Sequence, residues 1–238
     1  MSEAHALRWT AGAVVAAAGI AHAGPAFTSR SALLRRAFGV RDRLDDPGTL
    51  ALTFDDGPHP QGTPAVLDAL ARAGAPATFF LVGEHVRRRP DLVREIAAAG
   101  HAVGVHCDRH RNLLAVTPSQ TRADIEAAEH AIGCALGAPP TLYRPPYGIF
   151  NGAALAFVRR RRWSPVLWSR DPKDFDADVS VDEIVAVTSG GLRGGEIALL
   201  HDSDAFAADG CWRRTVAALP RILDAAADAG AGVARLEP

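Results

Sequence analysis

The sequence predicts an α/β fold in which parallel strands alternate with covering helices, and three observations support this prediction. From residue 49 onward, short apolar runs alternate with helical stretches. The helical stretches open with clear start signals, of which the capping boxes at 117–120 and 180–183 are the sharpest. Ionisable residues follow five of the apolar runs, at the carboxyl ends of the expected strands.

The alternation supplies seven strands and six helices. The predicted strands are 49–54, 77–82, 102–105, 141–143, 165–168, 197–200 and 232–236, and the predicted helices are 62–73, 90–99, 118–136, 151–160, 180–188 and 212–229. Periodicity alone does not decide whether seven parallel strands close into a barrel or form an open doubly wound sheet.

The polar residues at the strand ends favour the barrel. In a parallel barrel, the carboxyl ends of all strands share one face, and that face carries the active site. Scattered surface charge would not follow strand polarity in this way. The residues concerned are Asp55, Asp56, His106, Arg144, Asp171 and His201.

Length and charge limit the classes of function. The chain has 238 residues, which suits one catalytic domain. It carries 26 Lys+Arg against 27 Asp+Glu, so there is no basic footprint for nucleic acid and none is expected as a partner. Three cysteines without C-x-x-C spacing form neither a disulfide framework nor a zinc ribbon.

Residues 1–47 differ from the rest and are expected to form an N-terminal segment before a catalytic domain at 48–238. The run 9–21 is apolar but shorter than the ~20 residues that a membrane helix needs. It fits a signal-peptide core with a cleavage site after Ala23, or a small-residue helix packed on the domain or disordered. Export or membrane association through residues 9–21 is therefore expected, with a cytoplasmic location as the alternative. A basic connector is expected at 30–43.

One carboxylate and two imidazoles form a candidate metal site. Asp56, His106 and His110 suit Zn²⁺ or a similar divalent ion, and three protein ligands leave a coordination position for water or substrate. The plainer alternatives are a turn at 55–58 and a chance pair among nine histidines. Because Cys107 follows His106, the H-E-x-x-H protease pattern is absent, and Asp55 is the obvious candidate for the general base.

Five ordered motifs resemble the polysaccharide deacetylase family, with its NodB homology domain (carbohydrate esterase family 4). They are TFDDGP at 53–58, H-x-x-x-H at 106–110 followed by Asn112 and Leu113, RPPY at 144–147, DPKD at 171–174, and LHD at 200–202. The resemblance covers about 48–238. It implies a distorted seven-stranded (β/α) barrel that hydrolyses an N-acetyl, occasionally O-acetyl, group on a sugar polymer.

The resemblance also implies residue roles. Asp55 would be the base held by Arg144, and His201 would be the acid that protonates the leaving amine, oriented by Asp171. The Tyr147 backbone N–H would stabilise the oxyanion, and Leu200 would line the pocket for the acetyl methyl group. Asp56, His106 and His110 would bind one divalent ion, zinc first, with cobalt or nickel as alternatives. The expected partner is an acetylated glycan, and the expected state is a monomer.

Two positions depart from the family pattern. Cys107 stands where Ser or Thr usually follows the first metal histidine, and Phe175 stands where Trp usually follows Asp174. The first change weakens a hydrogen-bond donor in the metal loop. The second removes an indole N–H near the substrate groove. Neither change removes a catalytic group.

Other functions and substrates stay open at this point. A metal-dependent phosphatase with Asp55 as nucleophile normally needs a D-x-D pair, and a non-catalytic sugar-binding homologue should have lost a ligand, the base or the acid. Chitin oligomers, peptidoglycan, another envelope glycan or a non-sugar amide all present an acyl amide. The arginine runs at 87–89 and 159–162 are interpreted as solvated helix faces, with an anionic polymer or lipid headgroup as the alternative contact.

Overall fold

The structure is a computed structural model that describes residues 16–193 and 195–238. Residues 1–15, which include much of the predicted signal-peptide core, lie outside the described residues. The described part of the chain begins with helix α1 at 16–23. A 3-10 helix (Gly24–Ser29) and helix α2 (Ala32–Phe38) follow. The predicted basic connector therefore contains a helix, which begins at the capping residue Ser31.

Strands and helices alternate from residue 49, as the sequence predicts. The strands are β1 (Thr49–Asp55), β2 (Thr78–Val82), β3 (Ala102–Cys107), β4 (Leu142–Tyr143), β5 (Ser164–Pro165), β6 (Glu196–His201) and β7 (Gly232–Ala234). The other helices are α3 (Gly62–Ala73), α4 (Gly83–Arg88), α5 (Pro90–Ala98), α6 (Pro118–Leu136), α7 (Gly152–Arg161), α8 (Val181–Ser189) and α9 (Cys211–Asp228). The sequence pattern missed α4 because a six-residue helix gives too short a periodic signal.

The strands form a curled parallel sheet. Its order is β5-β4-β3-β2-β1-β6, and β7 pairs with the beginning of β1. Between the edge strands β5 and β6, the described residues show isolated bridges, such as Arg170 to Ala198, in place of a ladder. The fold is thus a curled half-barrel of parallel strands, and the described residues do not show a full seven-stranded barrel.

A segment before β1 contributes to this edge region. The Arg41 N–H donates to the Pro165 carbonyl at 2.9 Å, and the Leu167 N–H donates back to the Arg41 carbonyl at 2.7 Å. Arg43 bridges to Glu196 in antiparallel fashion and forms an ion pair with it at 3.3 Å. Strand β5 ends at Pro165, earlier than predicted, and the next residue, Val166, forms a bridge with Arg41 of this segment. The sheet therefore receives hydrogen bonds from residues that precede the expected boundary at residue 47.

Two apolar clusters divide the interior. The larger one lies between the sheet and the helices and includes the outward-facing Leu50, Leu52 and Phe54 of β1. The smaller one lies on the opposite face of the sheet and consists of Ala51, Phe80, Leu142, Val166, Ile197 and Leu236. Because Ala51 and Ile197 lie near the amino ends of β1 and β6, the apolar filling occupies that end of the fold. Polar side chains are left to the carboxyl ends of the strands.

No helix among the described residues combines the length and the apolar character that are needed to cross a membrane.

The start of α7 is fixed by a buried asparagine. The Asn151 side chain accepts a hydrogen bond from the Ala154 N–H at 2.9 Å and donates to the Leu113 carbonyl at 2.8 Å and to the Thr121 hydroxyl at 2.9 Å. One side chain thus caps α7 and ties it to α6 and to the loop before α6. By contrast, Ser180 caps α8 at the exposed surface through its capping box with Glu183.

We expect the substitution Asn151→Ala to lower the free energy of unfolding by roughly 2–4 kcal/mol, because it breaks three buried hydrogen bonds and removes the side-chain partner of the Leu113 carbonyl and of the Ala154 N–H. The matched control Ser180→Ala removes an exposed cap and should cost only about 0.5–1 kcal/mol. Urea unfolding followed by circular dichroism measures both values. Equal losses in the two variants would contradict the structural role assigned to Asn151.

Candidate functional site

Side chains from the carboxyl ends of several strands line one cavity of about 310 Å³. Of the predicted site residues, Arg144 lies beneath this cavity and Leu200 does not line it, whereas the other seven do. The lining residues are Asp55, Asp56, His106, His110, Tyr147, Trp168, Asp171, Phe175, Leu199, His201 and Phe206.

The two adjacent aspartates share the cavity because the backbone reverses between them. Asp55 ends β1, and Asp56 adopts a left-handed conformation with φ of 75°. Such a conformation is uncommon for a residue other than glycine but is tolerated by aspartate. The Asp56 carbonyl oxygen accepts a hydrogen bond from Nδ1 of His85 at 3.0 Å, which holds the turn. Consecutive carboxylates therefore face one site, although neighbouring residues on a strand point to opposite faces.

The three predicted metal ligands converge. Oδ1 of Asp56 lies 3.4 Å from Nε2 of His106 and 3.6 Å from Nε2 of His110. Although the two histidines are four residues apart, they do not share a helix. His106 lies near the carboxyl end of β3, and His110 lies in the loop that follows. The other nitrogen of His106, Nδ1, lies 2.8 Å from the Arg144 carbonyl, which directs Nε2 towards Asp56.

The chemistry of these groups fits a divalent cation. Oδ1 of Asp56 is buried and has no hydrogen-bond partner among the described residues. Burial lowers the pKa values of His106 and His110 to about 3, so both imidazoles are neutral, as ligands must be. Burial also raises the pKa of Asp56 to about 7, although the nearby His201 opposes that rise. A cation between the three groups would compensate that burial.

The loop that carries His110 is held by a residue the sequence analysis missed. The Asp124 carboxylate on α6 accepts hydrogen bonds from the Asp108 N–H at 2.8 Å and the Arg109 N–H at 3.2 Å, and it pairs with Arg111 at 2.8 Å. Asp124 lies on the buried face of α6, and a charged residue on an apolar helix face is the signal that could have found it. These bonds support the metal loop beside Cys107.

Arg144 lies beneath the cavity as the largest fully buried side chain among the described residues. Its Nη1 donates to Oδ1 of Asp55 and to the Thr53 hydroxyl, each at 2.8 Å, and its Nη2 donates to the Leu167 carbonyl at 3.1 Å. Burial raises the pKa of Asp55, and the Arg144 guanidinium opposes that rise. The pair therefore fixes one carboxylate oxygen of Asp55 and leaves the side chain in the cavity wall.

The carboxylate that holds His201 is Asp174, not the predicted Asp171. Oδ1 of Asp174 lies 2.8 Å from Nδ1 of His201, while its Oδ2 accepts from the His201 N–H at 2.8 Å and from the Thr215 hydroxyl at 2.6 Å. Asp171 instead accepts a hydrogen bond from the Lys173 N–H at 3.1 Å and lines the cavity. The loop reverses at Lys173, which has φ of 56°, so the second aspartate of DPKD reaches inward.

The apolar side chain on β6 that lines the cavity is Leu199 rather than the predicted Leu200. Side chains alternate along a strand, so residue 199 shares the inner face with residue 201. Leu200 belongs to the large core cluster between the sheet and the helices. The alternation was readable in the sequence and would have given the correct residue.

Aromatic rings form the rest of the wall. Phe175, at the position of the family's usual Trp, contacts His201 edge to face with ring centroids 5.4 Å apart. Tyr147 has φ of 59° and is 58% exposed, so its ring stands at the cavity rim. Trp168 lies beside the buried Arg144, with 5.5 Å between the guanidinium carbon and the ring centre. Trp168 and Phe206 are wall residues that the sequence analysis did not single out.

Comparisons with known proteins find a matching family model and related sequences. The polysaccharide deacetylase family model matches residues 43–161. A chitooligosaccharide deacetylase from Bradyrhizobium sp. (strain ANU 289) is 41% identical over 169 residues, which cover 69% of this chain and 77% of that protein. A peptidoglycan-N-acetylglucosamine deacetylase from Bacillus cereus is 36% identical over 176 residues, which cover 73% of this chain and 79% of that protein.

A solved structure shows the same architecture. The crystal structure of a peptidoglycan N-acetylglucosamine deacetylase in complex with a naphthalenyl N-oxidanyl-benzamide superimposes with a TM-score of 0.76 at 32% identity. The match covers 83% of this chain and 90% of that chain.

The two aspartates of the DPKD motif should differ in their effect on His201. Burial alone would lower the pKa of His201, but the Asp174 carboxylate raises it to about 10. We therefore expect Asp174→Asn to lower the His201 pKa, since burial is then opposed only by the more distant carboxylates of Asp56 and Asp55. Asp171→Asn should change it much less. Nuclear magnetic resonance titration of the His201 imidazole measures both, and a larger shift in the Asp171 variant would contradict the pairing.

Proposed function

Since the chain belongs to the polysaccharide deacetylase family and is a carbohydrate deacetylase, we propose that one cavity carries out the whole reaction with a bound divalent cation, a base and an acid. The observation that supports this proposal is the convergence of Asp56, His106 and His110 beside Asp55 and His201. We also infer that the curled sheet is the distorted (β/α) barrel of that family.

We propose that Asp56, His106 and His110 hold the cation, with zinc first and cobalt or nickel as alternatives. One carboxylate and two neutral imidazoles are a typical ligand set for these ions. When bound, such an ion polarises a carbonyl oxygen and lowers the pKa of water.

Asp55 is proposed as the base. The buried Arg144 fixes one oxygen of its carboxylate at 2.8 Å, and the side chain lines the cavity. As the oxygen of the attacking water forms its bond to the acetyl carbonyl carbon, Asp55 takes the proton of that water. The backbone N–H of Tyr147 is proposed to donate to the carbonyl oxygen as negative charge develops on it.

His201 is proposed as the acid. The Asp174 carboxylate keeps its imidazole protonated and fixes its ring through Nδ1. Nε2 then gives its proton to the amide nitrogen as the carbon–nitrogen bond breaks, which releases acetate and leaves a free amine on the sugar. The acid must be protonated, so activity falls as pH rises through the pKa of His201.

An N-acetylated glycan is the proposed substrate. The relatives named above act on chitooligosaccharide and on peptidoglycan N-acetylglucosamine, and the wall of Leu199, Phe175 and Trp168 offers an apolar surface for an acetyl group and a sugar ring. A cavity of about 310 Å³ is at the small end for ligand sites, which favours one acetylated sugar residue within it. One chain supplies every group of the site, so we propose that a monomer is active.

We expect the purified protein to bind about one equivalent of divalent cation and to release acetate from N-acetylglucosamine oligomers. His106→Ala should lose both metal and activity, because it removes a ligand. Asp55→Asn and His201→Ala should keep the metal while kcat falls roughly 10²–10⁴-fold. Metal analysis and an acetate assay measure these values. Full activity after thorough chelation would contradict the proposed metal dependence. Activity only on non-sugar amides would contradict the proposed glycan substrate.

We further propose that the protein works at an anionic membrane surface. Three large apolar side chains of the N-terminal helices are exposed, namely Ile20 (72%), Phe27 (59%) and Leu33 (76%). Residues 16–41 carry four arginines and no acidic residue. Arg159 of α7 lines the same apolar groove as Ile20 and Phe27. Apolar side chains beside cationic ones complement an anionic lipid surface, whereas a second copy of this basic face would be repelled.

The packing of α1 supports its retention in the working protein. A side chain at Gly152 would overlap the carbonyl oxygen of Ala21, so α1 packs directly against α7. Cleavage after Ala23 would remove that contact. We therefore favour the packed helix over a removed signal peptide.

We expect the full chain to cosediment with vesicles that contain anionic phosphatidylglycerol, and less with phosphatidylcholine alone. Replacing Ile20, Phe27 and Leu33 by serine should weaken this binding roughly tenfold or more, because apolar burial at the lipid boundary is lost. Val187→Ser, which changes an exposed residue on α8, is the control. If the full chain does not cosediment with anionic vesicles at low salt, the membrane proposal is contradicted and the enzymatic proposal is unaffected.

A further inference from the structure

The loop between β6 and α9 places an aromatic ring against a metal ligand. The Phe206 ring lies almost parallel to that of His110, with 4.4 Å between centroids and 14° between planes. The same ring stacks on His85 at 5.7 Å and 10°. Phe206 comes from a part of the chain almost a hundred residues after His110, so this contact joins two separate loops at the cavity.

His110 lacks the polar support that its partner ligand has. Histidines that bind metals usually donate their second nitrogen to a carbonyl or carboxylate, which fixes the plane of the ring. His106 is held in this way by the Arg144 carbonyl. Nδ1 of His110, in contrast, is buried and has no hydrogen-bond partner among the described residues. Apart from the other two proposed ligands, with the His106 ring centroid at 5.2 Å and Oδ1 of Asp56 at 3.6 Å from Nε2, its ring contacts among the described residues are aromatic. They are the face of Phe206 and the edge-on Tyr147 at 4.6 Å.

His85 extends this arrangement to a second ligand. Its Nδ1 lies 3.0 Å from the carbonyl oxygen of Asp56, at the left-handed turn that points the Asp56 carboxylate into the site. Phe206 therefore contacts both the His110 ring and the ring that holds the Asp56 turn. Because Phe206 is 40% exposed, its contribution to the core is small compared with its contacts in the site.

We propose that Phe206 is a positioning residue that holds the His110 ring and the Asp56 turn in ligand geometry and so sets how tightly the cation is retained. This inference rests on the proposed metal centre. An aromatic contact of this kind contributes up to about tenfold in an equilibrium constant. The role is separate from catalysis, since Phe206 is assigned no contact with the reacting atoms.

The test is the metal affinity of Phe206 variants of the full chain. Zn²⁺ dissociation constants come from competition with a chromophoric chelator, and the visible absorption of bound Co²⁺ reports ligand geometry. We expect Phe206→Ala to weaken Zn²⁺ binding roughly 3–10-fold and to change the Co²⁺ spectrum. Phe206→Tyr should keep the Zn²⁺ affinity and the Co²⁺ spectrum of the wild type, because the tyrosine ring can stack in the same place. Val187→Ala, which truncates a residue of equal exposure far from the site, should leave both unchanged.

Each outcome separates the two proposals. A wild-type protein that binds neither ion overturns the metal centre and this inference with it. Normal metal binding by the wild type together with unchanged affinity and spectrum in Phe206→Ala overturns the inference alone. A variant that keeps its metal affinity but raises KM for the glycan also overturns it, since Phe206 would then be a wall for the sugar. Thermal unfolding of the same variants checks that each is folded.

Discussion

The buried ion pair between Arg144 and Asp55 is the interaction on which the rest of the site depends. A guanidinium without exposed surface is costly to bury, and this one is compensated by Asp55, by the Thr53 hydroxyl and by the Leu167 carbonyl. The guanidinium carbon of Arg144 also lies 4.2 Å from the centre of the Phe80 ring. A single side chain thus connects β1, β2 and the segment after β5.

The backbone of the same residue continues the network. The Arg144 N–H donates to the Val105 carbonyl at 3.0 Å, and the Arg144 carbonyl oxygen accepts a hydrogen bond from Nδ1 of His106. One residue therefore sets the position of the proposed base, Asp55, through its side chain and the orientation of the proposed metal ligand His106 through its main chain. Buried ion pairs of this kind add little net stability, so the value of Arg144 lies in the geometry it imposes.

Strand polarity made the place of the site predictable, while long-range packing decided its finer details. Apolar runs followed by ionisable residues identified β1, β3 and β6 and the face on which their ends meet. The sequence could also have identified Leu199 as a lining residue, because side chains two positions apart on a strand share a face and His201 faces the cavity. The sequence could not show whether Asp171 or Asp174 contacts His201, because the left-handed residue Lys173 reverses the loop between them.

The supporting residues were hidden for a different reason. Asp124 and Phe206 act on the metal loop from α6 and from the loop before α9, and no local spacing links them to His110. The edge between β5 and β6 is similar, since a pattern of alternating strands and helices does not foresee that a segment before the first strand pairs there. Contacts of this kind follow from tertiary structure and leave only weak traces in the sequence, such as a charge on an apolar helix face.

The segment around Arg41 and Arg43 has a consequence for synthesis of the chain on the ribosome. Its partners are Val166 and Glu196, and the second of these lies 153 residues further along. A hydrogen bond cannot form before both of its partners have been made. The earliest part of the sheet region to leave the ribosome thus waits for one of its last strands, and its polar backbone groups must meanwhile be satisfied by water. The contact between Arg43 and Glu196 can therefore form only after translation has passed β6, and such contacts between distant parts of the chain form slowly.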